Sequence, residues 1–256
     1  MISSLPNKRR RIGKRLKTVA ESAAVRLSSE TFKETLCAVD VGTDHAKLAI
    51  ALIADYGFES VAATDINEGP CAAALKNIRS AGDNICDKIK VIKTDGLNGL
   101  ENIKCNRIII AGMGGELIVK ILSESEFTRE KQGRIKFVLQ PQSKEYALRR
   151  YLYENGYFII DERWIEDAGK EYCVISAVYD GIIRSGTLFE MYFGRFGAER
   201  AEQAFVKFFY KKYRALRESA EQRKNRVHGE SKDIYKDEEL LLKQMKEYTA
   251  ERNWMI

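Results

Sequence analysis

The sequence lacks several features that would place it in a common class of proteins. Its five cysteines form no C-x-x-C pair, and their spacing matches no zinc site or disulfide framework. Because the chain has an odd number of cysteines and only two histidines, we expect reduced thiols, no metal site and a cytoplasmic location. A signal-peptide pattern and an apolar run long enough to span a bilayer are both missing, so we expect no membrane association.

Excess positive charge is confined to the first 20 residues. They include seven Lys and Arg residues and no acid, whereas the rest of the chain has 36 basic and 37 acidic residues. Such a cluster can bind phosphate backbones, but a solvated tail has the same composition. We divide the 256 residues into a basic arm at 1–12, a main domain at 13–183 and a helical hairpin at 184–256.

The stretch Cys37–Leu48 organises the rest of the chain. A short apolar run reaches Asp40, Gly42 follows, and a helical apolar pattern begins at Ala46, which predicts a buried strand, a tight turn and a helix. In an open parallel sheet, ligands bind at the turn where the strand order reverses. The phosphate-binding pattern G-x-G-x-x-G is absent, and the acids would repel a diphosphate. The turn suits a ligand with a cationic or amino-acid end, such as S-adenosylmethionine; an ordinary turn with Asp44 as helix N-cap is the alternative.

Further strands and helices alternate after this turn. The predicted strands are 36–41, 60–65, 89–94, 107–111 and 135–139, and the predicted helices are 13–24, 46–56, 70–80, 116–122 and 144–154. Asp40, Asp65 and Asp95 each stand at or just past the end of one of the first three strands. Since parallel strands end at the same edge of a sheet, these acids are predicted to line that edge and to favour a ligand rich in hydroxyl and amino groups.

A glycine-rich loop follows the fourth predicted strand. Gly112–Gly115 has three glycines in four positions, which indicates a backbone with unusual dihedral angles or one that a ligand approaches closely. A single glycine would suffice for a turn, so we expect this loop to face a ligand.

The C-terminal third of the chain predicts a β-hairpin followed by helices. Strands at 157–164 and 171–179 flank a polar turn. Apolar stripes of helical period at 201–216 and 234–248 then predict two helices joined by a short turn. These helices are either a stabilising or oligomerising appendage or an arm that grips RNA.

Six motifs carry a resemblance to a known family. They are KRLKTVA from Lys14, DVGTDHAKL from Asp40, DGL from Asp95, IAGMGGELI from Ile110, LQPQ from Leu139 and EDAGKEYCVI from Glu166. Over residues 14–180 the chain resembles the bacterial tRNA (adenine-22-N1)-methyltransferase family. It departs from the family pattern at Thr43, where serine is usual, at Lys47, where an aromatic residue is typical, and at Gln142, where asparagine is usual.

The resemblance implies a fold, an activity and partners. The implied fold is an α/β, class I (Rossmann-like) seven-stranded methyltransferase domain with a C-terminal antiparallel helical hairpin resembling a coiled coil. The implied activity is methyl transfer from the cofactor S-adenosylmethionine to N1 of adenosine 22, in the D-arm region of tRNA. We expect tRNA as the partner and a monomeric protein.

The resemblance also implies roles for individual residues. The implied catalytic residues are Asp44, His45, Met113 and Gly114. The implied cofactor-binding residues are Asp40, Gly42, Thr43, Asp65, Ile66, Asp95, Gly96, Ala111 and Gly112. The expected RNA contacts are Arg11, Lys14, Arg15, Lys17 and Gln140.

The chemistry of the target atom bears on these roles. Adenine N1 has an in-plane lone pair, so no proton must leave before the methyl group is attacked. We therefore expect Asp44 or His45 to orient a reactant rather than to act as an obligatory base. Three alternatives stay open: a nicotinamide-dependent oxidoreductase, a non-catalytic RNA-binding module with a degenerate cofactor pocket, and an RNA methyltransferase with another target position.

Overall fold

A seven-stranded sheet forms the centre of the protein. The structure, a computed structural model, describes residues 12–31, 33–125, 133–225 and 236–252. The strands are β1 (Cys37–Val41), β2 (Ser60–Asp65), β3 (Ile89–Lys93), β4 (Arg107–Met113), β5 (Lys136–Pro141), β6 (Tyr157–Asp167) and β7 (Lys170–Tyr179). The helices are α1 (Lys14–Ala24), α2 (Lys47–Tyr56), α3 (Glu68–Arg79), α4 (Asp83–Cys86), α5 (Gly115–Ser123), α6 (Glu145–Glu154), α7 (Leu188–Phe193), α8 (Arg195–Arg200), α9 (Gln203–Asn225) and α10 (Lys236–Glu251).

The strand order confirms the predicted fold class. The sheet runs β3-β2-β1-β4-β5-β7-β6, with β1 to β5 parallel and β7 antiparallel to both β5 and β6. The chain builds outward from β1 in one direction and then returns to add β4 on the other side. The switch point therefore lies between β1 and β4, where ligands bind in such sheets.

Most predicted boundaries agree with the structure to within three residues. Gly57 ends α2 in the left-handed conformation that glycine favours. β4 continues to Met113 because a bulge after Ala111 shifts its register with β5. α3 begins two residues before Pro70, at Glu68. The helix α4 was not predicted, since four residues are too few to show a helical period. The helices α7 and α8 lie in the segment 184–256 that was predicted to be helical, but they were not predicted as separate helices.

Apolar side chains fill both faces of the sheet. β4 shows the alternation: Ile108 and Ile110 face α5 and α6, whereas Ile109 faces α1 and α2. All three isoleucines are completely buried. Strands covered on both faces read as continuous apolar runs, which explains the sequence of this strand. No helix in the described part of the chain is both long enough and apolar enough to cross a membrane.

The C-terminal helices pack on the β6–β7 side of the sheet. Phe205 and Phe209 from the predicted apolar stripe of α9 are completely buried in the same cluster as β5 and β6. The Trp164 ring of β6 lies 4.5 Å from that of Phe208, and the Tyr248 hydroxyl of α10 donates to the Ala198 carbonyl at 2.6 Å. The turn joining α9 to α10 lies outside the described residues, so the hairpin and the domain limits stay predictions.

A buried arginine ties the C-terminal end of α1 to the sheet. Arg107, at the start of β4, donates from Nε to the Ala23 carbonyl at 2.7 Å. Its Nη1 and Nη2 donate to the two carboxylate oxygens of Glu30, at 2.6 and 2.7 Å. Burial alone would raise the pKa of Glu30, but the hydrogen bonds and charge of Arg107 hold it below its ordinary value.

A buried lysine makes a second attachment to the same helix end. Lys136, at the start of β5, donates to the carbonyls of Ser22 and Val25 at 2.6 and 3.1 Å. Burial lowers the pKa of Lys136 to about 8. A helix C-terminus is favourable for cations, so the two side chains satisfy carbonyls that α1 leaves without helical partners.

We predict that Arg107→Met lowers the free energy of unfolding by about 3–5 kcal/mol, because it leaves the Glu30 carboxylate buried without its partner. Urea unfolding followed by circular dichroism measures the change. Arg150→Ala is the matched control, since Arg150 pairs with Glu154 on the exposed face of α6. Equal effects of the two substitutions would contradict the importance of the Arg107 attachment.

Candidate cofactor and substrate site

A cavity of about 260 Å³ opens between the carboxyl ends of β1 and β4. It lies at the switch point of the sheet. Its lining residues are Arg15, Leu16, Asp40, Gly42, Thr43, Asp44, His45, Lys47, Leu48, Ala111 and Gly112. The structure thus brings together seven of the residues to which the sequence assigned catalysis or cofactor binding.

The turn after β1 has an unusual backbone. Both Gly42 and Thr43 donate their N–H groups to the Thr64 carbonyl at 2.8 Å, which ties the turn to β2. Asp44 and Ala46 have φ values of 50° and 54°, in the left-handed region that residues with a side chain seldom adopt. Such strain gathers at functional sites. Ala46, not Asp44, occupies the N-cap of α2 and no side chain caps this helix, so the N-cap interpretation of Asp44 is wrong.

Asp40 is the buried acid of the cavity. Only 3% of the residue is exposed, and one of its carboxylate oxygens accepts a hydrogen bond from the Thr43 hydroxyl at 2.8 Å. Burial raises the pKa of Asp40 to about 6, against the opposing effect of the Thr43 hydrogen bond. A cation entering the cavity would favour the ionised form.

Asp44 and His45 lie at the mouth of the cavity. Their side chains are 68% and 50% exposed, and His45 Nε2 lies 3.5 Å from an Asp44 carboxylate oxygen. The Asn77 side chain of α3 donates to the His45 carbonyl at 3.0 Å, which attaches the turn to a second element. Both side chains can therefore reach a ligand that enters from solvent.

The remaining strand-end residues follow the same edge of the sheet away from the cavity. Asp65 ends β2, and one of its carboxylate oxygens accepts from the Asn67 N–H at 3.0 Å. The next residue, Ile66, is 53% exposed. Asp95, exposed, and Gly96 follow β3. None of these four lines the cavity, so the structure places them as a separate stretch of the predicted ligand edge.

The three glycines of the predicted loop, which lie where β4 ends and α5 begins, are required by the structure to different degrees. Gly112 has a φ of 81° and donates its N–H to the Gln140 side chain at 3.1 Å. A Cβ on Gly115 would overlap the backbone of Lys144. Gly114 has an ordinary φ of −65°, and a Cβ there would meet only the Ser143 hydroxyl, at an acceptable 3.7 Å. Neither the backbone nor the packing of the described residues requires glycine at 114.

Met113 connects this loop to the first turn. A Cβ added to Gly42 would overlap the terminal methyl group of Met113, which shows that this side chain lies over Gly42. The Met113 carbonyl accepts from the Gln142 N–H at 2.8 Å, so its backbone is attached to the segment after β5. Met113 thus packs against Gly42, one of the residues that line the cavity.

Gln140 has no access to RNA in this arrangement. It is completely buried, its side-chain oxygen accepts from Arg15 at 2.6 Å as well as from Gly112, and its Nε2 donates to the Pro141 carbonyl. The prediction that Gln140 contacts RNA directly is therefore contradicted by its burial. Its amide instead joins α1 to the glycine loop.

The predicted RNA-binding cations point in different directions. Lys14 and Lys17 are exposed, and Lys17 lies 3.8 Å from Glu21 one helical turn away. Arg15 is half-buried and lines the cavity. Arg11 lies outside the described residues.

Sequence reasoning missed four residues of this region. Leu16, Lys47 and Leu48 line the cavity. All three lie in motifs that carry the family resemblance, and the departure of Lys47 from the family pattern gave a further signal. Asp167, the last residue of β6, accepts the Arg15 N–H at 3.0 Å and so caps α1 from 152 positions away. An acid in a polar turn gives no sign of such a contact. No cluster of three or more His, Cys, Asp or Glu side chains in the described ranges is placed to hold a metal ion.

Comparisons with known proteins identify relatives over most of the chain. The family model described as tRNA (adenine(22)-N(1))-methyltransferase, TrmK, matches residues 38–249. The tRNA (adenine(22)-N(1))-methyltransferase of Bacillus subtilis is 32% identical over 205 residues, which cover 77% of this chain and 79% of the relative.

Solved structures with the same fold cover nearly all of the chain. The crystal structure of the B. subtilis m1A22 tRNA methyltransferase TrmK has a TM-score of 0.76 at 27% identity, covering 94% of this chain and 98% of that one. A Streptococcus pneumoniae protein in complex with S-adenosyl-L-methionine has a TM-score of 0.74 at 29% identity, covering 93% and 99%. Since the family model matches more than half of the sequence, the chain belongs to the tRNA (adenine(22)-N(1))-methyltransferase family.

Proposed function

We propose that this protein transfers a methyl group from S-adenosylmethionine to N1 of adenosine 22 in tRNA. The observation that carries the proposal is the cavity at the switch point, which places a buried acid, a strained acidic turn and a glycine loop together in a chain of this family. No phosphate-binding glycine pattern is present to favour a nicotinamide dinucleotide.

The residues present fit this cofactor. S-adenosylmethionine supplies an electrophilic methyl group on a sulfonium, together with an amino-acid end, a ribose and an adenine. Asp40 and Asp44 suit the ammonium group, and Asp65 suits the ribose hydroxyls. Asp95 with Gly96 would border the adenine, beside the exposed apolar side chain of Ile66.

The order of these residues along the sheet suits an elongated ligand. β4, β1, β2 and β3 are successive neighbours. Adjacent strands lie about 4.8 Å apart, so the edge from Gly112 to Asp95 extends over about 14 Å. Thr43 supports the buried end of this edge, since its hydroxyl orients the Asp40 carboxylate.

The glycine loop is the proposed entrance of the target base. N1 of adenine is paired in a helix, so the base must be unpaired or flipped before it can react. Gly114 leaves space that the fold does not require, which suits the approach of a planar ring. Met113 and Ala111 would border that ring and the methyl group.

The protein's part in the reaction is alignment rather than proton removal. The N1 lone pair attacks without losing a proton, so the side chains need only hold N1, the methyl carbon and the sulfur in line. Asp44 and His45 belong to a turn that β2 holds through the N–H groups of Gly42 and Thr43 and that α3 holds through the His45 carbonyl, so both are placed to orient a reactant.

Lys14 and Lys17 are the proposed phosphate contacts, since both are exposed on α1 beside the cavity. Acting on tRNA, the protein would work in the cytoplasm. The monomeric state stays a prediction, and so does an RNA contact from Arg11.

We predict that labelled methyl groups pass from S-adenosylmethionine to an unmodified tRNA transcript with A22, and not to the same transcript with G22. Nucleoside analysis should find N1-methyladenosine only in the first transcript. A different methylated nucleoside would keep the enzyme class and reject the target. Cofactor binding without any transfer would favour the non-catalytic RNA-binding alternative.

We predict that Asp44→Asn lowers kcat by less than about 100-fold, below the usual contribution of an obligatory general base. The shape of the kcat–pH profile should not change, because no proton transfer is removed. Asp55→Asn, an exposed acid on α2, is the matched control. A larger loss with normal cofactor binding and a missing pH limb would show that Asp44 acts as a base.

We predict that the affinity for S-adenosylmethionine falls as the pH is lowered from 7 to 5. With its pKa near 6, Asp40 binds a proton below that pH and must release it when the cofactor ammonium group binds, which opposes binding. The loss should approach about 10-fold per pH unit. Calorimetric titration measures it; Asp40→Asn should bind more weakly and without this pH dependence. A wild-type affinity that is constant over this range would contradict the role of Asp40.

A further inference from the structure

The two glutamines at the end of β5 have opposite surroundings. Gln140 is completely buried, and both ends of its amide are occupied, the oxygen by Arg15 and Gly112 and the nitrogen by the Pro141 carbonyl. Gln142 is exposed, and no described residue forms a hydrogen bond with its side chain. The fold thus leaves Gln142 with a free carboxamide, which has an acceptor oxygen and two donor hydrogens.

The backbone around Gln142 is attached to the glycine loop. Its N–H donates to the Met113 carbonyl, and the carbonyl of the next residue, Ser143, accepts from the Gly115 N–H, both at 2.8 Å. The Gln142 side chain turns back toward the loop, since its Nε2 would lie 3.9 Å from a Cβ on Gly112. Gly112 itself lines the cavity, so a free carboxamide lies at the rim of the cavity, where the target base is proposed to enter.

The chemistry of adenine restricts what this carboxamide can bind. A carboxamide presents a donor and an acceptor side by side, and adenine offers the matching pair at two places, N6–H with N1 and N6–H with N7. N1 is the atom that receives the methyl group, so its lone pair must stay free. The N6–N7 edge, which glutamine recognises with two hydrogen bonds, is the edge that remains. Guanine has acceptors at both corresponding positions, O6 and N7, and would satisfy only the donor of the amide.

We propose that Gln142 binds the N6–N7 edge of the target adenine, and that this contact both selects adenine and directs N1 toward the methyl group. The assignment rests on the proposed function. The N6 amino group donates to the Gln142 side-chain oxygen, and N7 accepts from its Nε2. Because N6 is attached to the ring carbon next to N1, holding this edge also fixes the direction of the N1 lone pair, which is the alignment that the reaction needs.

The test removes one atom of the proposed contact. Two tRNA transcripts carry either adenosine or 7-deazaadenosine at position 22, so the second lacks only the N7 acceptor. Methyl transfer by the full chain is followed in single turnovers with saturating S-adenosylmethionine. Replacement of N7 by carbon makes the ring more electron-rich, so N1 does not become a weaker nucleophile. We nevertheless expect the wild-type protein to react about 5- to 10-fold more slowly with the second transcript, the factor that one hydrogen bond supplies.

Variants assign the discrimination to Gln142. Gln142→Leu removes the carboxamide and keeps a side chain of similar size, so its preference for adenosine over 7-deazaadenosine should be lower than that of the wild type by the same 5- to 10-fold. Gln142→Asn should retain part of the preference. Gln203→Leu, at the exposed first residue of α9, is the matched control and should keep the wild-type ratio. Calorimetry should find unchanged binding of S-adenosylmethionine by each variant, since neither glutamine lines the cavity.

The possible outcomes are distinct. Equal or faster reaction of the wild-type protein with the 7-deazaadenosine transcript would overturn the proposal without any variant, and it would leave the proposed function intact. A slow Gln142→Leu that keeps the wild-type ratio would assign Gln142 to the support of the glycine loop and would also overturn the proposal. Failure of a folded wild-type protein with bound cofactor to methylate the adenosine transcript would reject the proposed function itself.

Discussion

The attachment of α1 at both ends is the constraint on which the site depends. The Asp167 carboxylate accepts an N–H group from the first turn of this helix, and Arg107 and Lys136 donate hydrogen bonds to its last carbonyls. Charges of the favourable sign therefore lie at each end of the helix dipole. Eleven helical residues extend about 16 Å, which matches the length of a five-residue strand. The helix therefore reaches from the amino edge of the sheet to the carboxyl edge, where Arg15 meets the cavity. Burial of the two cations at the distant end thus helps to set the geometry of the ligand site.

The turn after β1 shows how the fold supports a strained site. Left-handed conformations at Asp44 and Ala46 cost roughly 1–2 kcal/mol each. The Thr64 carbonyl holds the start of the turn through two N–H groups, and Asn77 holds its end at His45. β1 itself is buried along its whole length. Because the surrounding elements hold the turn from several sides, Asp44 stays at the mouth of the cavity without a capping side chain on α2.

The charged groups of the cavity lack compensating partners when no ligand is bound, and this favours the binding of a charged ligand. Burial of Asp40 raises its pKa, which means that the ionised carboxylate is less well solvated there than in water. Arg15 likewise has no carboxylate partner within the described ranges. A ligand with both an ammonium group and a carboxylate would supply what each lacks. The side-chain oxygen of Gln140 accepts hydrogen bonds from both Arg15 and the Gly112 N–H, which fixes the position of Arg15 relative to the glycine loop.

Local sequence patterns determined the order of the strands and helices, and they showed at which edge of the sheet a ligand is predicted to bind. The apolar period specifies each strand and each long helix, and parallel strands necessarily end together, so Asp40, Asp65 and Asp95 could be assigned to one edge. The glycine loop and the first turn were recognised for the same reason, since glycine spacing is a local signal. Tertiary structure alone decided the burial of Gln140, the inward direction of Arg15 and the capping of α1 by Asp167. Those contacts join residues 125 and 152 positions apart, and they depend on how β5 and the β6–β7 hairpin are placed in the sheet, which no local periodicity encodes.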